Sequence, residues 1–192
     1  MKPILTERLV IRNWRDEDRA LFHRINSDER VMAFFPFRRD RAGSDALLDR
    51  LRAGIEENGF GFCALERRDT GECIGFTGLN LTDGLPGLPQ KAVEIGWRLA
   101  PDFWGRGYVR EAAKAWLDEG FTRLSLQEIV SFAVWNNVRS IAVMQRIGMR
   151  ADPEGDFDHP SVPDTHPHLK CHALYRLTRE EWQLLRASTS EE

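Results

Sequence analysis

The stretch Glu94-Ile95-Gly96-Trp97-Arg98-Leu99-Ala100-Pro101-Asp102-Phe103-Trp104-Gly105-Arg106-Gly107-Tyr108-Val109 decides the fold. It reads as the end of a strand, a glycine-containing loop and the start of a helix. Ala92 to Leu99 forms the strand, with Glu94, Gly96 and Arg98 on one face and Val93, Ile95 and Trp97 on the other. From Gly107 onward, Val109, Ala112, Ala113, Trp116, Leu117 and Phe121 recur at helical spacing, while Arg110, Glu111, Lys114, Asp118 and Glu119 hold the outer face. Ile129 to Val134 is the next strand. Strand, helix, strand predicts a parallel pair with a right-handed crossover.

The loop has its own chemistry. The first turn of a helix leaves backbone N–H groups unpaired, and the dipole adds partial positive charge there. Gly105 and Gly107 lack Cβ atoms, so the backbone can approach an anion, and Arg106 adds a charge. This is a phosphate cradle in physical terms. A tight turn that needs glycine only for its dihedrals is the plainer reading of the same residues. G-x-G-x-x-G fails at Arg110, and no Gly-Lys-Ser/Thr follows, so neither a dinucleotide fingerprint nor a P-loop is present.

Outward from this centre the elements fall into order. Leu9 to Asn13 is a first strand. Asp16 is expected to cap a helix that turns Ala20, Leu21 and Ile25 inward, and Ser44 a second with Leu47, Leu48, Leu51 and Ile55 on one stripe. Phe60 to Glu66 and Cys73 to Leu81 form a hairpin through Asp69-Thr70-Gly71-Glu72. A short helix over Val138 to Ile147 stops at Gly148. Leu169 to Leu177 is the last long strand, and Thr178-Arg179-Glu180-Glu181 is a capping box that starts a final helix. Ala187 to Glu192 reads as a frayed tail. Parallel and antiparallel pairs together give a mixed sheet in an α/β fold. With no repeat and no linker, residues 1–192 are expected to form one domain.

Composition narrows the function. The 192 residues carry a net charge of -3, without the basic surplus of a nucleic-acid binder. Arg38, Arg39 and Arg41 stand beside Asp40 and Asp45 and read as a solvated face. Cys63, Cys73 and Cys171 are odd in number and form no C-x-x-C pair, which favours a reducing compartment and a cytoplasmic location. No apolar run is long enough to cross a bilayer, so no membrane partner is expected. His159, His166, His168 and His172 crowd one segment, but Pro160, Pro163 and Pro167 interrupt it and no recognised ligand spacing appears. A stiff loop over a substrate site is expected there, and no metal. The six tryptophans are expected in core or rim packing.

Several linked motifs resemble one family. The GNAT acetyltransferases carry Q/R-x-x-G-x-G/A at the strand-to-helix turn. Trp104 to Val109 lies on that pattern with Gly107 at its first glycine, and Trp104 and Val109 depart from its ends. The chain is closer to the Rim-type ribosomal-protein N-terminal acetyltransferase branch, which shows E-I-G-W/Y, then W-G-[KR]-G-Y-A, then E-A. Leu5 to Arg12, Asn137 to Ser140, Val143-Met144, Ile147 to Met149, Phe157 to Pro160, His172 and Leu174 to Leu177 also resemble that branch.

The resemblance implies the GNAT fold, with central parallel strands splayed around the pantetheine arm of acetyl-CoA. It implies direct transfer of acetyl to an amine acceptor in a ternary complex. Backbone amides of Arg106 to Val109 would hold pyrophosphate, and Trp97, Arg98 and Leu99 would pair with pantetheine as a short pseudo-strand. Trp104 would wall the channel, and Asn137 would bond the arm. On residue chemistry alone Asn137 is an N-cap and Glu94 a carboxylate on an open sheet face. The family context makes Glu94 the base. Holding a lysine neutral at pH 7 costs about 4.6 kcal/mol, and an α-amino group about 1–1.4 kcal/mol, so an adjacent carboxylate helps. Many members place a tyrosine acid where this chain has Met144, and Ser140 is the substitute. No cysteine is placed as a nucleophile. A non-catalytic acyl-CoA-binding module is the alternative, disfavoured by Glu94. A homodimer is left open.

Overall fold

The computed structural model describes residues 1–189 of the 192. The first half of the chain holds β1 (Ile4–Leu5), β2 (Leu9–Arg12), α1 (Arg19–Ser27), α2 (Arg41–Asn58), β3 (Phe62–Arg67) and β4 (Cys73–Thr82). The second half holds β5 (Ala92–Leu99), α3 (Tyr108–Phe121), β6 (Glu128–Val134), α4 (Val138–Arg146), β7 (Arg150–Ala151), β8 (Phe157–Asp158), β9 (Cys171–Thr178) and α5 (Arg179–Thr189). The elements group into two compact units, residues 1–80 with 96–115, and residues 81–95 with those from 116 onward.

The first unit is built on an antiparallel meander. β1 pairs with β2, β2 with β3 and β3 with β4, as in Leu5↔Val10, Ile11↔Leu65 and Ala64↔Phe76. Leu9, Ile11, Phe22, Ile25, Leu48, Ile55 and Leu65 are fully buried against it. Trp14 meets Phe22 edge-on at 4.8 Å, and its indole N–H donates to the Phe62 carbonyl at 2.7 Å. Arg12 is buried beside this core. Its guanidinium grips both oxygens of Asp18, at 2.7 and 2.9 Å, and donates through Nε to Glu66 at 2.7 Å. Burial alone would raise the Asp18 carboxyl; the bonds from Arg12 and the Arg15 N–H outweigh it and hold it below its ordinary range. Two glycines let backbones touch: a Cβ on Gly78 would lie 1.7 Å from the Gly61 carbonyl oxygen, and one on Gly75 would lie 2.4 Å from that of Arg98.

The second unit contains the parallel pair, with Glu94 opposite Val130 on β6. β6 and β9 run antiparallel from Glu128↔Thr178 to Val134↔His172. β7 and β8 add to β9 through Ala151↔Tyr175 and Phe157↔His172. The sheet is therefore mixed and flanked by helices, as the strand–helix–strand reading required.

Several local expectations shift. Asp16 opens a 3-10 turn over Asp16–Asp18, and α1 starts only at Arg19; Asp16 instead pairs with Arg19 and Arg52. The inward face of α1 is Phe22, Ile25 and Asn26, with Ala20 exposed. Asp40, not Ser44, caps α2, accepting from the Gly43 N–H at 2.7 Å; Ser44 is buried in the first turn near His23. Leu169 closes a 3-10 turn before β9 begins. The capping box forms as expected, with the Glu181 carboxylate accepting from the Thr178 N–H at 3.0 Å. Ala187 to Thr189 belong to α5, so the frayed-tail reading does not hold there, while Ser190, Glu191 and Glu192 lie outside the described residues.

Candidate active site

The turn that opens α3 has the geometry of an anion site. Gly105 and Gly107 take left-handed φ values of 74° and 80°, which a side-chain-bearing residue adopts only with strain. A Cβ on Gly105 would meet nothing within 4 Å, so the outer side of the loop is open. The first helical bond runs from the Glu111 N–H to the Gly107 carbonyl at 3.1 Å. By helix geometry the N–H groups of Tyr108, Val109 and Arg110 then have no acceptor inside the helix. Gly105, Arg106 and Gly107 are exposed, Tyr108 is buried and Val109 is half-buried.

A clasp that sequence reasoning missed braces this turn. Arg8 donates through Nε to Glu111 at 2.6 Å and through Nη1 to the Arg106 carbonyl at 3.0 Å, with its guanidinium 4.7 Å over the Tyr108 ring. The Thr6 hydroxyl and the Arg8 N–H complete the shell of Glu111 at 2.5 and 2.8 Å. Burial works to raise the Glu111 carboxyl, but these bonds outweigh it and hold it below the usual range. An acid in the first turn would repel a phosphate; the clasp neutralises it with the Arg8 guanidinium. The Thr6-Glu7-Arg8-Leu9 motif was legible as a family signature, but its partner 103 residues away was not.

The floor of the turn is also fixed. The Trp104 indole N–H donates to the Leu99 carbonyl at 2.9 Å. The Ala100 N–H donates to the Ile74 carbonyl at 3.0 Å, and the Thr77 hydroxyl to the Gly96 carbonyl at 2.9 Å. Backbone groups of alternate residues point to opposite edges of a strand. Gly96, Arg98 and Ala100 thus turn theirs toward β4, and Trp97 and Leu99 turn theirs to the opposite edge.

Arg98 is set apart by its side chain. Its guanidinium donates to Asn26 Oδ1 at 2.6 Å and lies over Phe35 at 4.2 Å and Phe76 at 5.4 Å. Burial, with the nearby charge of Arg39, pushes its pKa down to about 10.

In the second unit, Glu94 is half-buried on β5. Ser131 donates its hydroxyl to the Ile95 carbonyl at 2.9 Å. Asn137 follows β6 directly, its N–H bonded to the Val134 carbonyl at 2.8 Å, and caps α4 by accepting from the Ser140 N–H at 3.3 Å. Asn137 and Ser140 are thus brought together, while Met144 points into the core, fully buried. The structure gathers Trp97 to Val109 in one compact unit and places Glu94, Asn137 and Ser140 in the other.

The histidines split into pairs. His159 and His172 lie 4.9 Å apart among Phe132 and Phe157, and His166 lies 6.1 Å from His168. His172 donates Nδ1–H to the Lys170 carbonyl at 2.8 Å, and His159 Nδ1 accepts from the Ser161 N–H at 3.2 Å. Burial holds both below the ordinary 6.5. Among the described residues no group of three His, Cys, Asp or Glu side chains is placed to hold a metal ion. Cys63 is buried, Cys73 half-buried and Cys171 exposed, and burial pushes the Cys63 and Cys73 thiols up to about 12. Trp135 is 58% exposed, a departure from the packing role expected of it.

The chain is similar to known proteins. The pattern that defines the family described as "Acetyltransferase (GNAT) domain" matches residues 8–150. An uncharacterised N-acetyltransferase of Bacillus subtilis (strain 168), YnaD, is 30% identical over 188 residues, covering 93% of this chain and 98% of its own. A solved GNAT-family acetyltransferase from Bacillus anthracis superposes with a TM-score of 0.76 at 25% identity, over 93% of this chain and 99% of its own. A ribosomal-protein-S5-alanine acetyltransferase from Vibrio fischeri shares the fold with a TM-score of 0.72 at 18% identity, over 95% and 99% of the two chains.

Proposed function

Because the chain belongs to the acetyltransferase (GNAT) domain family, we propose that it moves an acetyl group from acetyl-CoA to a primary amine, by direct transfer in a ternary complex. The observation that carries this reading is the helix-opening turn with two left-handed glycines, which lies inside the family match. Backbone amides from Arg106 to Val109 would receive the pyrophosphate, with Gly105 and Gly107 giving close approach. Trp97 and Leu99 would pair through backbone with the pantetheine arm on the strand edge turned away from β4, and Trp104 would wall its channel. Asn137 would bond the arm at the head of α4, where the parallel strands are expected to splay.

The chemistry follows from roles. The amine lone pair attacks the thioester carbonyl, and a backbone N–H stabilises the oxyanion. Glu94 accepts the amine proton, through one water. The carbon–sulfur bond breaks, and Ser140 relays a proton from solvent to the departing thiolate, giving the free thiol. Fully buried Met144 has no proton to give, which leaves that role to Ser140. Within the family, the Rim-type branch is supported by Glu94 to Trp97, by Trp104 to Tyr108 and by Asn137 to Ser140. A protein N-terminal α-amine and a small-molecule amine both fit that chemistry. The cysteine pattern supports a cytoplasmic setting, and no helix among the described residues is long and apolar enough to cross a membrane.

The test is a free-thiol release assay across a panel of amines and N-terminal peptides, with mass spectrometry of the products. Release of coenzyme A together with an acetylated amine is expected. A folded protein that binds acetyl-CoA but acetylates nothing across the panel would make the chain a binding module instead.

A further inference from the structure

Among the described residues, Arg98 places a positive charge with no carboxylate paired to it. Its guanidinium bonds a neutral oxygen, Asn26 Oδ1, and rests on the faces of Phe35 and Phe76. The nearby charge of a second cation, Arg39, acts against it. The Arg39 N–H donates to the Asn26 carbonyl at 3.0 Å, and its guanidinium lies 4.8 Å over the Phe37 ring. Asn26 therefore bonds the Arg98 side chain through its amide oxygen and the Arg39 backbone through its carbonyl.

The surrounding segment is not short of acids. Arg30 pairs with Asp28, Arg38 with Glu29, Arg41 with Asp45 and Arg24 with Asp102. Among the described residues, Arg39 and Arg98 have no carboxylate partner. The Arg98 guanidinium is half-buried, so part of its hydration is lost, and a neutral oxygen and aromatic faces offset only part of that cost. A second cation close by adds to the cost. Such an arrangement is a receptor for an anion, and the planar fork of arginine matches a carboxylate through two parallel hydrogen bonds.

We propose that Arg98, with Arg39, seats a carboxylate of the acceptor, so that the acceptor is a primary amine that also carries a carboxylate. This rests on the acetyl-transfer reading above, in which the amine approaches Glu94. Strand alternation puts Arg98 on the same side of β5 as Glu94, four residues further on. The same two cations repel a polyamine, which would bring positive charge to them. A free amino acid and a peptide with an acidic side chain near its N-terminus present the same carboxylate chemistry.

The test is calorimetry on the protein saturated with coenzyme A, with product-like probes in matched pairs. One arm compares N-acetyl amino acids with their carboxamides. The other compares N-acetylated peptides that carry Glu or Gln at the second position. In at least one arm the acid is expected to bind about tenfold or more tighter than its amide, the scale of a charge-assisted hydrogen bond. The arm that shows the ratio identifies the source of the carboxylate. Arg98→Gln, which can still donate to Asn26, should collapse the ratio toward one, and Arg98→Lys should leave an intermediate value. Arg39→Gln should lower the ratio as well, and gives the same readout if the Arg98 variants do not fold. A ratio near one in both arms for the native protein overturns the proposal. So does a ratio that survives in folded Arg98→Gln, or one that is absent while acetyl-CoA affinity falls, which would assign the cation to the coenzyme. These are binding measurements, so their outcome is separate from that of the thiol-release assay.

Discussion

Gly107 and Glu94 carry the two residue-scale predictions. At Gly107, φ is 80° and a Cβ would sit 3.4 Å from Arg8 Nη2, so any side chain meets both backbone strain and the clasp. Gly107→Glu adds a carboxylate where phosphate is expected. Acetyl-CoA affinity measured by calorimetry should fall by at least about tenfold, since each 1.4 kcal/mol of lost interaction is a factor of ten; equal affinity in the folded variant would remove the cradle assignment. Glu94→Gln should keep acetyl-CoA affinity and lower turnover by about 10²–10⁴-fold, the usual worth of general-base catalysis. The loss should shrink at high pH, where solvent deprotonates the amine, and for acceptors of low pKa. A pH–rate profile of both proteins on one acceptor checks this, and unchanged kcat/KM across the range would leave proximity as the main source of catalysis. At this scale the sequence was legible where a local turn dictates backbone conformation, as at Gly105 and Gly107. It named Arg98 for its backbone and Arg8 as part of a family-like motif, but gave neither side chain its partner, because Glu111 and Asn26 lie far along the chain.

Elements succeed or fail here by their neighbours. The hydrophobic spacing of α2 and α3 and the glycine stop after α4 were readable because they repeat within one element. The start of α1 was not, because Asp16, read as the cap, opens a 3-10 turn whose last residue, Asp18, is drawn into the buried grip of Arg12, and α1 begins only at Arg19. That grip holds β2 against the turn before α1, with both side chains at most 6% exposed. Asp18→Asn would leave the Arg12 guanidinium buried with Glu66 as its remaining carboxylate. Breaking such a pair from one side costs about 3–5 kcal/mol. A denaturant melt at pH 7 should show a loss near the lower figure, and a loss under about 1 kcal/mol would mean the pair is marginal. Because the folded Asp18 carboxyl lies below its ordinary 3.8, its contribution is present above that pH and is lost as pH falls through the lower folded value.

For the molecule as a whole, acid tolerance should be set first by the histidines. His159 and His172 are both held below 6.5 by burial, and His172 further lowers His159. Below about pH 6.5 the unfolded chain takes up protons that the folded chain resists, so stability declines from there down to the folded values. Thermal melts between pH 8 and pH 5 should show this decline, and His159→Phe should flatten it. An equal slope in that variant would place the sensitivity elsewhere. The broad architecture was legible because the order of strand and helix signals admits few topologies. The pairing of His159, just past β8, with His172 on β9 was not, because a two-residue strand gives no periodic signal. The three cysteines, finally, make the protein convenient to watch. Cys63 is walled off and Cys73 is suppressed by burial, which leaves Cys171 at the surface as the natural attachment point for a maleimide dye. Partial burial and the charges of Asp156 and Asp158 raise its pKa, so coupling should go faster in mildly alkaline buffer. A fluorophore there would stand one residue from His172 and report ligand-induced change in that neighbourhood as a change in brightness, with no mutation needed to install it.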